Sequence, residues 1–279
     1  MEGFIDTLNG VIWSNALVYL CLGAGAYFTL VTLFLQIRCL PDMIRQLKSG
    51  ESSEQGISSF QSLMISLAGR VGVGNIAGVA TAIAFGGPGA VFWMWLVALL
   101  GSATSFIECC LAQIYKETDR DTGEYRGGPA YYIEKTYKHT AAKPFMLVYA
   151  IIFAVCMLLA TSYFLPGIQA NGVAAAVDNA WGVNVWISAT IMAIMLAFII
   201  IGGVKRIATF ASMVVPFMAG IYIIIAIVVL FANASQIPEV FGTIVRAAFD
   251  KEAAFSGMLG AAIMWGVKRG IYSNEAGQG

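Results

Sequence analysis

The sequence predicts an all-α integral membrane protein with about seven transmembrane helices, of which the second and the seventh are broken. The first supporting observation is composition: of 279 residues, 59% are hydrophobic and only 11% are charged, whereas about a quarter of the residues in a soluble domain carry charge. The second is that two of the apolar stretches contain glycines at depths where lipid offers the backbone no other hydrogen-bond partner.

Seven stretches meet the requirement of roughly 20 mostly apolar residues for crossing the hydrocarbon layer. They lie near residues 12–37, 59–85, 90–115, 145–165, 185–203, 209–232 and 255–274. The fourth stretch could extend past Pro166, which either ends the helix or kinks it. We predict a single transmembrane domain over residues 1–279, in which 12–37 form a peripheral span.

Basic residues are distributed unevenly between the predicted spans. The loops 38–58, 116–144 and 204–208 hold eleven Lys and Arg, whereas the opposite side holds two. Because cytoplasmic loops carry the excess of positive charge, we predict a multi-pass protein of the cell (plasma) membrane with an extracellular or periplasmic N-terminus. In the longest basic loop, the stretch that starts at Pro129 predicts either an interfacial helix or a solvated connector.

The second span contains SLAGRVGVGNIAG, with four glycines, an arginine and an asparagine. Glycine weakens a helix, and a helix broken in lipid is stable only where it faces protein or water. Because this span runs outward, amides at the start of its outer half suit a carboxylate. The candidate substrate-binding residues here are Gly72, Gly74, Asn75 and Ile76. The alternative is that the glycines only let helices pack and that Asn75 only caps a helix.

An R-x4-N-x-A-G pattern starts at Arg70 and returns 199 residues later at Arg269. Chance is one explanation in a sequence rich in Gly and Ala. The other is a transporter built from inverted repeats, whose broken helices lie in corresponding places. On that interpretation residues 59–232 form a first five-helix repeat and 255–279 start a second. The candidate substrate-binding residues of the second broken helix are Trp265, Gly270, Ser273 and Asn274.

Two side-chain amides follow the predicted kink of the fourth span. Gln169 and Asn171 come shortly after Pro166. Uncharged amides can bind an ammonium or a carboxylate group without the cost of burying a charge. Both residues are therefore candidates for substrate binding, and the alternative places them in an outer loop.

These segments resemble the alanine or glycine:cation symporter family, the sodium:alanine symporters. The resemblance rests on GGPGAVFWMWLVALLG from Gly86 to Gly101, on AGRVGVGNIAGVATAIAFGG before it and on RGIYSNEAGQG at the end. The portion from Val71 to Asn75 is also similar to the first core helix of neurotransmitter:sodium symporters. The resemblance implies a partial five-plus-five inverted-repeat transporter fold, neurotransmitter:sodium symporter-like, in an apparently C-terminally truncated member.

The resemblance also implies sodium-coupled symport of a small neutral amino acid, alanine or glycine, by alternating access. It implies that the carbonyl oxygens of Ala68 and Val71 and the side-chain oxygen of Asn75 hold the sodium ion. The expected partners are the amino acid, sodium and membrane lipid, with no nucleic acid and no cofactor besides co-transported sodium. The oligomeric state does not follow from the sequence.

Two other functions remain as alternatives at this stage. A passive channel would also tolerate glycines at mid-membrane, and a truncated chain could be a non-transporting membrane remnant. An enzyme is not expected, because the sequence contains no Ser/His/Asp set, no metal-spaced His and Cys cluster and no phosphate-binding loop.

Overall fold

The computed structural model describes residues 2–49, 56–249 and 258–277, and their regular structure is almost entirely helical. The first seven helices are α1 (Glu2–Ile12), α2 (Asn15–Val31), α3 (Leu35–Arg38), α4 (Leu40–Ser49), α5 (Ser59–Arg70), α6 (Val73–Gly86) and α7 (Gly89–Tyr115). A two-stranded antiparallel hairpin follows, with β1 (Glu117–Thr118) and β2 (Tyr125–Arg126). The remaining helices are α8 (Pro129–Thr136), α9 (Lys143–Leu159), α10 (Leu165–Trp181), α11 (Val185–Ile200), α12 (Gly203–Ala232), α13 (Ile237–Ala248) and α14 (Met258–Asn274).

Five helical runs within the described residues are long and apolar enough to cross a membrane. They are Asn9–Val31, Ser59–Gly86, Gly89–Tyr115, Lys143–Trp181 and Gly203–Ala232. Helix α11 is apolar but shorter, and the predicted span 255–274 starts outside the described residues. The structure thus confirms an all-α membrane protein, while the count of seven spans and the repeat fold stay predictions.

The first span differs from its predicted bounds of 12–37. Helix α2 ends at Val31, and the next residues include Leu33 and Phe34, both with left-handed φ angles, of 54° and 55°. The hydroxyl of Thr32 donates to the carbonyl oxygen of Phe28 at 2.7 Å. Left-handed φ angles at residues other than glycine are incompatible with a right-handed helix, and the helix therefore ends earlier than the composition of the apolar run predicts.

The fourth span continues beyond Pro166. A π-helical turn over Ala160–Phe164 joins α9 to α10, and the combined run is 39 residues long. Pro166 has no amide to donate to the previous turn, and a wider turn accommodates its ring. The run places Gln169 and Asn171 inside a helix, so the outer-loop alternative is wrong for both.

The stretch that starts at Pro129 forms α8, and this helix is packed. Pro129 is buried, and Lys135 Nζ donates to the carbonyl oxygen of Tyr115, the last residue of α7, at 2.6 Å. Burial, and to a smaller extent the nearby charge of Glu108, raises the pKa of Tyr132 to about 12. The solvated connector is therefore the wrong alternative for this segment.

The described residues form two compact units. The first unit lies within Met1–Pro41, Asn75–Ile107 and Ile225–Gly277. Its buried centre is a cluster of valines from α2, α7 and α14, namely Val18, Val97 and Val267. Because lipid tails are as apolar as these side chains, van der Waals packing rather than transfer out of water holds α14 against α2 and α7 in this cluster.

The second unit lies within Asp42–Gly74 and Glu108–Ile224. Its buried centre joins α5 to α12 through Met64, Ala211 and Val215. Helix α5 begins with a capping box, in which the hydroxyl of Ser58 accepts from the amide of Gln61 at 3.2 Å and the Gln61 side chain accepts in return at 3.0 Å. These contacts fix the helix that leads into the break of the second span.

Candidate functional site

The second span is interrupted where α5 ends and α6 begins. Helix α5 ends at Arg70, Val71 has non-helical angles (φ −103°, ψ 55°), and α6 begins at Val73. Val71 and Gly72 therefore separate two helices within one apolar run. The structure confirms the predicted interruption of the second span and places it at Val71 and Gly72.

The side chain of Gln169 caps the start of α6. Its Oε1 atom accepts a hydrogen bond from the backbone amide of Val73 at 2.9 Å. This approach depends on Gly72, because a Cβ atom on that residue would lie 2.9 Å from Nε2 and 3.3 Å from Oε1 of Gln169. Two residues that the sequence predicts as substrate ligands, Gly72 and Gln169, thus lie together in the second unit.

Gly172, which the sequence pattern does not indicate as a site residue, also packs against the start of α6. It follows Gln169 by three residues and therefore lies on the same face of α10. A Cβ atom on Gly172 would overlap Cγ1 of Val73. The spacing of this glycine, one helical turn after the candidate Gln169, is the feature of the sequence that could have indicated Gly172. Asn171 lies on another face of α10 with an exposed side chain, and the structure does not bring it to the break.

The start of α6 carries the backbone amides that were predicted to bind a carboxylate. In a helix that begins at Val73, the amide of Ile76 donates the first intrahelical bond. The amide of Gly74 precedes that bond, in the first turn of α6. Gly74 therefore fits the predicted role better than Ile76, and the role of Asn75 stays a prediction.

The end of α5 carries carbonyl groups at the same break. The last carbonyls of a helix lack intrahelical partners and form its negative end. Ala68 lies in the last turn of α5 and Val71 directly follows it. Within the described part of the chain, no group of three or more His, Cys, Asp or Glu could hold a metal ion. Two of the three predicted sodium ligands, Ala68 and Val71, thus lie at a negative helix end, whereas the third, Asn75, lies in the first turn of α6.

The second copy of the R-x4-N-x-A-G pattern has a different local structure. Helix α5 ends at Arg70, whereas Arg269 lies inside α14, which continues to Asn274. Glu275 then adopts a left-handed φ of 53°. Two residues after the first arginine stands Gly72, but two residues after the second stands Ile271. The second copy lacks the glycine that weakens the helix, and the helix ends later than the pattern predicts.

Three residues of α14, spaced four apart, pack against α7 in the first unit. A Cβ atom on Gly266 would lie 2.6 Å from the carbonyl oxygen of Ala90, and one on Gly270 would lie 2.8 Å from Cβ of Val97. The Asn274 side chain donates from Nδ2 to the carbonyl oxygen of Val97 at 2.9 Å. Small residues at this spacing allow close helix contact in membranes, and two predicted substrate residues, Gly270 and Asn274, serve that contact here.

The other two candidates of α14 have different surroundings. The ring of Trp265 stacks on Phe85, near the end of α6, with centroids 5.2 Å apart and planes inclined by 17°. Ser273 is half-buried. The structure contains no substrate, and the roles of these side chains stay predictions.

Comparison with known proteins identifies the family. The sequence matches the sodium:alanine symporter family over residues 1–279. The chain belongs to this family.

Three similar relatives show how much of the length is shared within the sodium:alanine symporter family. The putative sodium/proton-dependent alanine carrier protein YrbD of Bacillus subtilis is 52% identical, over 100% of this chain and 56% of the relative. The probable sodium/glutamine symporter GlnT of Bacillus subtilis is 46% identical, over 100% of this chain and 57% of the relative. The sodium/alanine symporter AgcS of Methanococcus maripaludis is 43% identical, over 99% of this chain and 60% of the relative. The chain therefore spans little more than half the length of these relatives.

Membership of the sodium:alanine symporter family confirms the resemblance found in the sequence. The family and these relatives are transporters and not enzymes. Together with the five apolar helical runs, this membership identifies a multi-pass membrane protein.

Proposed function

We propose that the protein couples the uptake of a small neutral amino acid, alanine or glycine, to sodium entry across the cell membrane by alternating access. The observation that carries this proposal is the interruption at Val71 and Gly72, where the negative end of α5 meets the positive end of α6 within one apolar run. An amino-acid carboxylate and a sodium ion have the charges that these two ends attract. The relatives AgcS and YrbD are named for sodium and alanine.

The substrate carboxylate binds at the start of α6 in this proposal. The amides of Gly74 and Asn75 supply two donors, and Gln169 supplies a third. Since Oε1 of Gln169 accepts from the amide of Val73, the side-chain amide is oriented with Nε2 as a remaining donor group. A neutral amide at this place binds the carboxylate without bringing a second buried charge.

The sodium ion binds on the α5 side of the break in this proposal, held by the carbonyl oxygens of Ala68 and Val71 and the side-chain oxygen of Asn75. A carboxylate nearby would strengthen its binding, and the ion would strengthen substrate binding by the same factor. Each positive charge that moves inward gains about 2.3 kcal/mol per 100 mV of membrane potential. This coupling lets the sodium gradient drive uptake.

The remaining candidate residues, in α14 and at Asn171 of α10, differ in how well their surroundings leave them available to a substrate. Trp265 and Ser273 remain proposed substrate contacts. Gly270 and Asn274 are already used against α7, and Asn171 is exposed. We therefore expect substitutions of these last three to affect substrate affinity less than substitution of Gln169.

Proteoliposomes that contain the whole protein test the function. A sodium gradient should drive accumulation of labelled alanine and glycine above their external concentrations, and replacement of sodium by choline should abolish it. Glutamine serves as the comparison substrate, because the relative GlnT is named for it. Equal uptake in choline would contradict symport, equilibration without accumulation would favour a passive channel, and a preference for glutamine would replace the proposed substrate.

A further inference from the structure

A pocket of about 530 Å³ lies in the second unit, away from the break. Its walls come from the end of α7, from the hairpin strand β2, from the start of α8 and from the middle of α9. A pocket of this volume is large enough for a small organic ligand or headgroup. None of the residues considered for substrate or sodium lines it.

The two charged residues that line this pocket are both basic, Lys116 and Arg126. Lys116 Nζ lies 4.2 Å from the ring centroid of Tyr125 and 2.9 Å from Oε1 of Gln113. Arg126 pairs with Asp119 at 3.0 Å and with Glu117 at 4.0 Å, and neither carboxylate is part of the pocket wall. The lining therefore offers cationic groups, held by neighbouring side chains, to an anionic ligand.

The opposite wall is apolar and belongs to a membrane-spanning run. It consists of Phe153, Ala154 and Met157 of α9, within the 39-residue run from Lys143 to Trp181. A helix of that length extends about 58 Å, nearly twice the hydrocarbon thickness of roughly 30 Å. Part of the run must therefore tilt or lie beside the headgroups. The ring of Tyr131, which also lines the pocket, is of the type that favours that interface.

We propose that this pocket binds an anionic phospholipid, with the phosphate at Lys116 and Arg126 and the first part of an acyl chain along Phe153 and Met157. A basic end and an apolar membrane wall in one pocket match a lipid, which has both parts in one molecule. A soluble anion would use only the basic end. The site lies outside the residues proposed for transport, and its test does not depend on uptake.

The test measures lipid retention by the purified protein with native mass spectrometry, using phosphatidylglycerol, phosphatidylcholine and inorganic phosphate as probes. Phosphatidylglycerol should bind in preference to phosphatidylcholine. The Lys116→Gln substitution should weaken its binding about fivefold, the effect of one basic residue near a lipid phosphate. Lys138→Gln is the matched control, because Lys138 is an exposed basic residue of the same loop outside the pocket.

A second variant keeps the test valid if Lys116→Gln does not fold. Ala154→Trp fills the apolar wall, leaves both cations unchanged and should also weaken the binding of phosphatidylglycerol. Equal losses in Lys116→Gln and Lys138→Gln would overturn the proposal in favour of general surface attraction. Binding of phosphatidylcholine equal to that of phosphatidylglycerol, or retention of inorganic phosphate as strong as that of the lipid, would overturn it as well.

Discussion

The contact between Gly72 and Gln169 decides the chemistry at the start of α6. The Gln169 side chain reaches the amide of Val73 only because residue 72 has no Cβ atom. Its acceptor oxygen is thereby engaged, and its nitrogen is the group that we propose for the substrate. A change of one methyl group at position 72 should therefore alter substrate binding without any change in charge.

We predict that Gly72→Ala lowers the affinity for alanine about tenfold, equivalent to about 1.4 kcal/mol. The added methyl would stand 2.9 Å from Nε2 of Gln169 and displace that amide from Val73. Gly220→Ala is the control, because a Cβ atom there meets nothing within 4 Å. Sodium-dependent binding of labelled alanine to the purified protein measures both variants. Equal affinities in the two variants would show that the amide position is unimportant.

At this scale the sequence predicts chemistry better than contacts. The amide group of Gln169 and its position after Pro166, both visible in the sequence, are enough to select this residue as a candidate. The sequence does not select Gly172 in the same way, because the importance of this glycine arises from its contact with Val73, 99 residues earlier. One sequence shows which residues are small, but not which face of a helix meets which neighbour.

Among the helices, the junction of α9 and α10 positions Gln169. The π-helical turn over Ala160–Phe164 precedes Pro166 and sets the rotation of α10 relative to α9. If the turn relaxed to α-helix, the register would change by one residue, a rotation of about 100°. Such a rotation would carry Gln169 away from Val73.

We predict that Pro166→Ala weakens alanine binding as much as removal of the Gln169 amide does, because the new amide at 166 favours an α-helical turn. Pro144→Ala is the control, since Pro144 stands in the first turn of α9, where proline is tolerated. Alanine binding compared across Pro166→Ala, Pro144→Ala and Gln169→Ala provides the measurement. Unchanged affinity in Pro166→Ala would exclude a positioning role for the π-helical turn.

The packing of α14 on α7 leads to a prediction about stability. Gly270→Ala should destabilise the protein by about 1 to 3 kcal/mol, because the added methyl would stand 2.8 Å from Val97 and overpack the contact. Gly260→Ala, in the same helix but with nothing within 4 Å of an added Cβ, should be neutral or slightly stabilising. Thermal unfolding in detergent compares them. Equal melting temperatures would show that the close contact between these helices is not formed.

Hydropathy predicts most of the long helices, but not the short elements between them. Helices α4 and α13 and the hairpin are absent from the sequence prediction. Short helices gain most of their stability from packing of one face, and that packing is not visible along the chain. The pattern at Arg269 predicts a break, whereas α14 continues without interruption to Asn274, since Ile271 stands where the first copy has Gly72.

For the molecule as a whole, composition alone identifies the membrane class, and the family comparison agrees. The topology with an outside N-terminus, the single domain and the repeat boundaries at 59–232 and 255–279 remain predictions. The chain spans little more than half of its relatives, and these whole-molecule properties depend on more than local sequence. The break of the second span needs only local information, because glycine content and mid-span position are both readable from the sequence.

The most direct test of the account is alanine binding by Gln169→Glu in the presence of sodium. The new carboxylate would lie beside the amide of Val73, at the positive helix end that we propose for the substrate's own carboxylate. It should abolish alanine binding, because a carboxylate of the protein then occupies the positive helix end, whereas Gln169→Ala should lower the affinity for alanine without abolishing binding. Wild-type alanine affinity in the Gln169→Glu variant would contradict the proposed carboxylate site.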